Sequence, residues 1–331
     1  MKKIINDPAN VVPEMVKGMV RSYPQFISQV KDTEAVMRAD KDSMTGKVGI
    51  VSGGGSGHEP THAGFVGKGM LSAAVCGQVF TSPTPDQIYA AIKAVDQGQG
   101  VFLVIKNYSG DVMNFDMAKD MADMDNIKVK SIIVDDDIAV ENSTFTQGRR
   151  GVAGTLFMHK ILGAMAQNGA SLDEIDAAAK KVLPNIKTIA VALSAATNPE
   201  TGKPGFVLKD DEIEFGVGIH SEPGYRCEKI KPAKDLVTEL VGKLNNEMHL
   251  EQNKKYAVLV NGMGATPLME QYIFSNDLLD KLAEFNVKPA FIKIGNYMTS
   301  LDMAGISLTF FEIADEKWLK YLNQPVETIA W

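Results

Sequence analysis

Apolar residues recur along this chain in two alternating rhythms. Val12, Met15, Val16, Met19 and Val20 return every three or four positions, which predicts an opening amphipathic helix that ends before Pro24. Short apolar runs of strand length follow at Val48 to Val51, Leu71 to Val75, Val101 to Ile105 and Ile132 to Val134. Helical patterns lie between them, carried by Ile88, Ala91, Ile92 and Val95 and then by the segment from Met113 to Met124. Ser82-Pro83-Thr84-Pro85 supplies cap and first-turn chemistry for the first of these helices. Continuous apolar strands separated by helices predict a mostly parallel sheet covered on both faces. Met113, Met117, Met121 and Met124 share helical spacing and are expected in the core. A further helix is entered through Gly148-Arg149-Arg150-Gly151 and ends at Gly169, and Ser171 with Glu174 forms a capping box for the next, which stops before Pro184.

The rhythm restarts after Pro184-Asn185 with a strand at Ile189 to Leu193. Glu212 to Val217 alternates in the manner of an exposed or antiparallel strand, Leu236 to Leu244 is helical, and strands follow at Tyr256 to Val260, Ala290 to Ile294 and Ile306 to Phe311. The expected fold class is α/β with two α/β domains. The first, residues 1–184, has the mostly parallel sheet; the second, residues 185–331, has a mixed sheet.

Composition narrows the function classes. At 331 residues, 45% hydrophobic and 23% charged, the chain is long enough for about two ordinary globular domains. A net charge of -7 argues against a nucleic-acid surface, which needs a basic patch. The two cysteines, Cys76 and Cys227, have no metal-ligand spacing, which points to a reducing compartment. Asp7, Pro8 and Asn10 interrupt any leader-like apolar stretch, and no run approaches the ~20 apolar residues of a spanning helix. The chain is therefore expected in the cytoplasm, with no membrane and no nucleic-acid contact.

The candidate chemistry concentrates in Val51-Ser52-Gly53-Gly54-Gly55-Ser56-Gly57-His58-Glu59-Pro60, where an apolar run ends in four glycines within five positions and then a histidine. Glycine tolerates positive φ and lets a ligand touch the backbone. The stretch fits neither the dinucleotide fingerprint nor the Walker pattern, and it is no complete nucleophile elbow at Ser56. In open parallel sheets, ligands bind beyond the carboxyl ends of strands. Four loops satisfy that condition: Gly53 to Glu59, Lys106 to Asp111, Asp135 to Asp137, and Phe215 to Gly224 with His220 among its glycines. Two glycine-flanked histidines, His58 and His220, together with the carboxylate Asp111, make a set able to supply a nucleophile, a base and an orienting group. Each histidine alone could equally be structural. Asp135, Asp136 and Asp137 could hold magnesium, though capping a turn or helix is the commoner use of such a cluster. Arg149 and Arg150 could meet a phosphate or pair with those aspartates. His62, His159 and His249 have no supporting pattern and are read as structural or solvated.

With Phe80-Thr81-Ser82-Pro83-Thr84-Pro85, Ile105 to Asp111, Gly264-Ala265-Thr266-Pro267-Leu268 and Thr299-Ser300-Leu301-Asp302-Met303 added, these residues resemble one family over nearly the whole chain. It is the family of dihydroxyacetone-binding subunits of phosphotransferase-system (PTS)-dependent dihydroxyacetone (glycerone) kinases. The resemblance implies two α/β domains per subunit and a homodimer. It implies that His220 holds dihydroxyacetone covalently as a hemiaminal, that His58 is a general base or proton shuttle, and that Asp111 meets the substrate hydroxyl. Gly55, Ser56, Gly57 and Lys106 match the family's other substrate contacts. No metal or cofactor is expected on this chain, since it ends at Trp331 without the helical nucleotide domain of single-chain ATP-dependent relatives. ADP and Mg are expected on a separate partner subunit, DhaL, recharged by DhaM. The implied activity is that of a phosphoenolpyruvate–glycerone phosphotransferase subunit. The alternative is a non-catalytic paralogue that senses dihydroxyacetone and acts on a transcription regulator; a serine hydrolase using Ser56 is a distant third.

Overall fold

In the computed structural model, which describes residues 2–141 and 146–331, the opening amphipathic segment forms α1 (Val11–Ser22) and buries Val12 and Val16. Next comes a short antiparallel pair, β1 (Ile27–Gln29) and β2 (Ala35–Arg38). The apolar runs and helical patterns then follow in order as β3 (Gly49–Ser56), β4 (Ala73–Val79), α2 (Pro85–Val95), β5 (Val101–Lys106), α3 (Ser109–Met124) and β6 (Val129–Val134). The sheet order is β1-β2-β4-β3-β5-β6. Its β4, β3, β5 and β6 run parallel, while β1 and β2 are antiparallel additions at one edge.

Two details differ from the expectation. The glycines are not a loop: Gly53, Gly54 and Gly55 continue β3 and pair with Val75, Cys76 and Gly77, with a register shift before Ser56. Glycines can hold the ladder while leaving space for other groups against the strand. The α3 methionines are not core either. Met113, Met117 and Met124 are exposed, because the inward stripe is Asp111, Phe115, Ala118 and Ala122, which recurs at the same three-to-four spacing on another face.

The helix α4 (Thr155–Gln167) starts four residues after Gly151 and is buried on nearly every side. It lies against β3, β5 and α5 (Leu172–Val182). The capping box of α5 forms as expected, Ser171 accepting from the Glu174 backbone N–H and the Glu174 side chain from that of Ser171.

The second sheet is built from β7 (Ile186–Ala192), β8 (Glu212–Phe215), β9 (Arg226–Lys229), β10 (Tyr256–Gly262), β11 (Phe291–Gly295) and β12 (Gly305–Glu312), with α6 (Ala233–Met248), α7 (Leu268–Glu284) and α8 (Glu316–Asn323) interspersed. Its order is β11-β10-β12-β7-β8-β9, and only β10 and β11 are parallel. It is therefore a mixed sheet, and the fold is α/β with two six-stranded sheets. Alternation along β10 sends Tyr256, Val258 and Val260 to a core under α6 and α7. Ala257 and Leu259 face the opposite way, into the core that α4 shares with the first sheet. Each fully buried Phe or Leu of that shared core, such as Phe157 or Leu156, contributes about 1.5–3 kcal/mol of transfer free energy. The two halves are thus joined through apolar packing rather than a linker. No helix among the described residues is long and apolar enough to cross a membrane.

Candidate active site

The site begins where β3 stops. Gly57 has φ +106°, and a Cβ there would stand 2.7 Å from Phe80 Cε1, so this position needs glycine for both conformation and space. The room it leaves is taken by the Phe80 ring, stacked on His58 with centroids 5.3 Å apart. His58 is completely buried. Its Nδ1 lies 2.7 Å from the carbonyl oxygen of Thr299, and since a carbonyl only accepts, Nδ1 carries the proton and donates it. Nε2 is left with its lone pair and no hydrogen-bond partner among the described residues. Burial, then the nearby His220 and Lys106, holds the His58 pKa well below the ordinary imidazole range, so the ring is a neutral base at pH 7.

The segment that orients His58 belongs to the other half. The Leu301 N–H donates to the Gly57 carbonyl at 2.7 Å, the Thr299 N–H to that of His58 at 3.2 Å, and the Thr299 hydroxyl to that of Glu59 at 2.9 Å. The run Thr299 to Met303 is thus the seam that fixes the glycine-rich strand end, a role its composition does not announce.

His220 sits in the turn between β8 and β9. Its ring meets three others edge-on, at centroid distances of 4.4 Å to Tyr108, 4.7 Å to His58 and 5.4 Å to Phe80. The Glu222 carboxylate also meets His220: Oε2 accepts from the His220 backbone N–H at 2.8 Å, and Oε1 is 3.5 Å from Nδ1. Burial pushes the Glu222 carboxyl up, but His220 and the Arg150 guanidinium outweigh it and bring the pKa down to about 2. Glu222 is therefore an anion beside the His220 imidazole. It was not among the residues singled out from sequence, although it stands two positions from His220 in the same glycine-rich turn.

Lys106 and Asp111 complete the group. Lys106 ends β5 and is fully buried, with Nζ 3.6 Å from Asp111 Oδ2 and 3.3 Å from the Gly53 carbonyl oxygen. Asp111 lies in the first turn of α3, where the helix dipole favours an anion. Gly55, Phe80, Tyr108, Asp111 and His220 line a cleft of about 520 Å³. His58 and Lys106 lie behind that lining. The Ser56 hydroxyl is turned away, buried and donating to the Gly77 carbonyl at 2.7 Å, which leaves no activated serine nucleophile. A separate hollow of about 250 Å³, lined by Leu193, Leu236, Ile273 and Phe274, contains none of these residues.

Of the other polar candidates, Asp135 is exposed, and the remaining four are engaged within the protein. Asp136 accepts from the Val152 and Gly154 N–H groups at 2.8 and 2.7 Å and from the Thr188 hydroxyl at 2.5 Å. Asp137 pairs with Arg150 at 2.7 Å, and Arg149 forms a two-pronged pair with Glu247 at 3.0 Å. These carboxylates and guanidiniums have partners within the protein. Among the described residues, no group of three or more His, Cys, Asp or Glu side chains is arranged to hold a metal ion. His249 is the left-handed C-cap of α6, whereas His62 and His159 are buried beside Lys106.

Comparison with known proteins identifies the family. Residues 17–330 match the Dak1 domain family. The chain is 64% identical, over 100% of its length and 99% of the relative's, to the PTS-dependent dihydroxyacetone kinase, dihydroxyacetone-binding subunit DhaK of Lactococcus lactis. It is also 45% identical, over 99% of its length and 100% of the relative's, to the DhaKLM operon coactivator DhaQ of the same organism. Among solved structures, the dihydroxyacetone kinase from C. freundii in complex with AMP-PNP and Mg2+ superposes with a TM-score of 0.91 at 33% identity, covering 100% of this chain and 60% of that one.

Proposed function

Since this chain belongs to the Dak1 family, we propose that it is the dihydroxyacetone-binding subunit of a cytoplasmic PTS-dependent dihydroxyacetone kinase, taking its phosphoryl group from nucleotide on a DhaL partner. The observation that carries this reading is the meeting of His220 and His58, rings 4.7 Å apart, beside a cleft that Asp111 also lines.

The chemistry follows from the two imidazoles' different surroundings. His220 Nε2 adds its lone pair to the ketone carbon; the carbonyl π pair moves to oxygen, which takes up a proton from solvent, and a hemiaminal on a protonated ring results. The Glu222 carboxylate, 3.5 Å from Nδ1, is placed to stabilise the positive charge the ring acquires. Covalent capture requires a carbonyl, so glycerol is rejected without a shape filter. Three flanking rings hold His220 so that the captured triose has one orientation, with a terminal hydroxyl towards Asp111 and His58. That hydroxyl gives its proton to one of these acceptors as its oxygen bonds to the incoming phosphorus and the bond to ADP breaks. The neutral, unpartnered His58 Nε2 is suited to this, and Lys106 offsets the charge on Asp111. ADP and magnesium are assigned to DhaL, recharged by DhaM, and a homodimer is the assembly we expect.

Similarity to the DhaQ coactivator favours one other reading, a dihydroxyacetone sensor that phosphorylates nothing. Two measurements test the proposal. Native intact-mass spectrometry with dihydroxyacetone should give a one-to-one adduct that His220→Ala abolishes, and the protein with ATP-loaded DhaL should form dihydroxyacetone phosphate. An adduct without turnover would establish the sensor; no adduct would refute the covalent site.

A further inference from the structure

Behind the glycine-rich strand end a buried polar chain leads from Lys106 through His62 and His159, two residues that the mechanism above does not use. Lys106 Nζ lies 2.9 Å from His62 Nε2, and His62 Nδ1 lies 2.9 Å from Nε2 of His159, which projects from α4. His62 Nδ1 is also 3.3 Å from the Ser52 hydroxyl, itself donating to the Val104 carbonyl at 2.6 Å. All of these side chains are buried. A Cβ at Gly54 would collide with Lys106 Nζ, so a glycine of the strand end makes the space in which the ammonium sits.

Burial lowers the Lys106 pKa while Asp111 opposes that shift, and with Lys106 in its ammonium form hydrogen-bond valence sets the chain's polarity. An ammonium has three donors and no lone pair, so His62 must offer Lys106 a bare Nε2 and carry its own proton on Nδ1. That proton is donated to His159 Nε2, which places the second proton on His159 Nδ1, an atom with no partner among the described residues. His159 thereby selects the His62 tautomer that accepts from Lys106. Both rings must be neutral for this, and burial together with the Lys106 charge favours it: the His62 pKa is held well below the ordinary imidazole range and that of His159 is lowered to about 3. The titratable groups facing Lys106 are His58 and His62 from the segment after β3, Asp111 from α3 and, beyond His62, His159 from α4.

We propose that His62, locked in one tautomer by His159, is a positioning residue for phosphoryl transfer: it anchors the Lys106 ammonium from behind and so holds it against Asp111. This rests on the kinase reading of the same site. A lysine ammonium ends a flexible four-carbon stem. The Gly53 carbonyl at 3.3 Å and Asp111 at 3.6 Å are both long contacts, whereas His62 supplies the short one that fixes Nζ.

The test compares His62→Met, which removes the acceptor, with His62→Gln, whose amide can both accept from Lys106 and donate to His159. His62→Met should lower kcat about 10- to 100-fold, the scale of a small misplacement in a catalytic site. The His220 adduct and the KM for dihydroxyacetone should stay at parental values, and His62→Gln should recover most of the loss. The alkaline limb of the Met variant's pH profile should also move down, because Lys106 has lost the lone pair that favours its charged form. Parental kcat and pH profile in the Met variant, or adduct and kcat falling together, would overturn the proposal. Nitrogen-15 NMR of the parent protein gives a readout independent of folding in the variants: His62 protonated on Nδ1 and neutral through pH 6–8 is expected, and protonation on Nε2 would refute it. Lack of turnover by the parent protein with DhaL would instead reject the kinase reading, and the tautomer measurement would still decide whether the lock exists.

Discussion

His58 Nδ1 donates to the carbonyl oxygen of Thr299, 241 residues away, at 2.7 Å. A backbone acceptor cannot change its protonation, so it holds the imidazole in one tautomer with Nε2 free. This bond couples the glycine-rich end of the first sheet to the loop before β12.

Replacing His58 by Asn should therefore separate capture from transfer. Loss of a general base costs about 10²- to 10⁴-fold in rate. We expect kcat with DhaL to fall within that range while intact-mass spectrometry still finds the triose on His220. Loss of the adduct in His58→Asn would show that His58 serves capture instead.

Glu222→Gln tests the support of His220. Hydrogen bonds to charged groups contribute about 1.5–3 kcal/mol, so dihydroxyacetone binding should weaken on the order of 10- to 100-fold. Calorimetric titration measures the change. Unaltered affinity would leave Glu222 a purely local brace for its turn.

Asp111→Asn would leave the Lys106 ammonium buried without its counter-charge, a change that costs about 3–5 kcal/mol. Urea denaturation should show that loss in the single variant. Adding Lys106→Met should recover part of it, because the double variant buries no uncompensated charge. Additive losses would mean that the pair, 3.6 Å apart, is not coupled.

The buried imidazoles also set a pH dependence. The folded-state pKa of His159, about 3, is below that of the unfolded chain, so the unfolded chain binds an extra proton once pH falls below about 6.5. The stability associated with its neutral burial is complete above that pH and is lost as pH falls. Each such imidazole contributes a slope of about 1.4 kcal/mol per pH unit. Asp137 opposes the trend, since burial pushes its carboxyl up to about 6 against the pull of Arg150. The His159 share is isolated by comparing the parent protein with His159→Gln: between about pH 5.5 and 4, the variant should lose stability less steeply by about 1.4 kcal/mol per pH unit. Parallel curves would refute neutral burial.

What could be read from sequence was governed by distance along the chain. The strand expected at Val101 to Ile105 and the Ser171 capping box depend on neighbours within a few residues, and both form, the strand running one residue further to Lys106. The β1–β2 pair was too short to produce a period, three and four residues long. On α3, methionines and the Phe115–Ala118–Ala122 stripe share the same spacing, and hydropathy favoured the wrong face; the sheet contact decides it. The glycine flanks around His58 and His220 were visible. The partners that specify each ring mostly were not: Thr299, His159 and Lys106 meet their histidines only after folding, and the nearby Glu222 is recognisable only from its contacts with His220.

The seam from Gly57 to Leu301 has a consequence for inheritance. A chimera that takes residues up to α5 from one relative and the remainder from another would pair a donor imidazole with a foreign carbonyl, and a small backbone offset there would misaim the base without unfolding either parent block. Substitutions on the two sides of this seam are thus expected to be tolerated together more readily than apart, so the chain should diversify as one unit even though it contains two sheets.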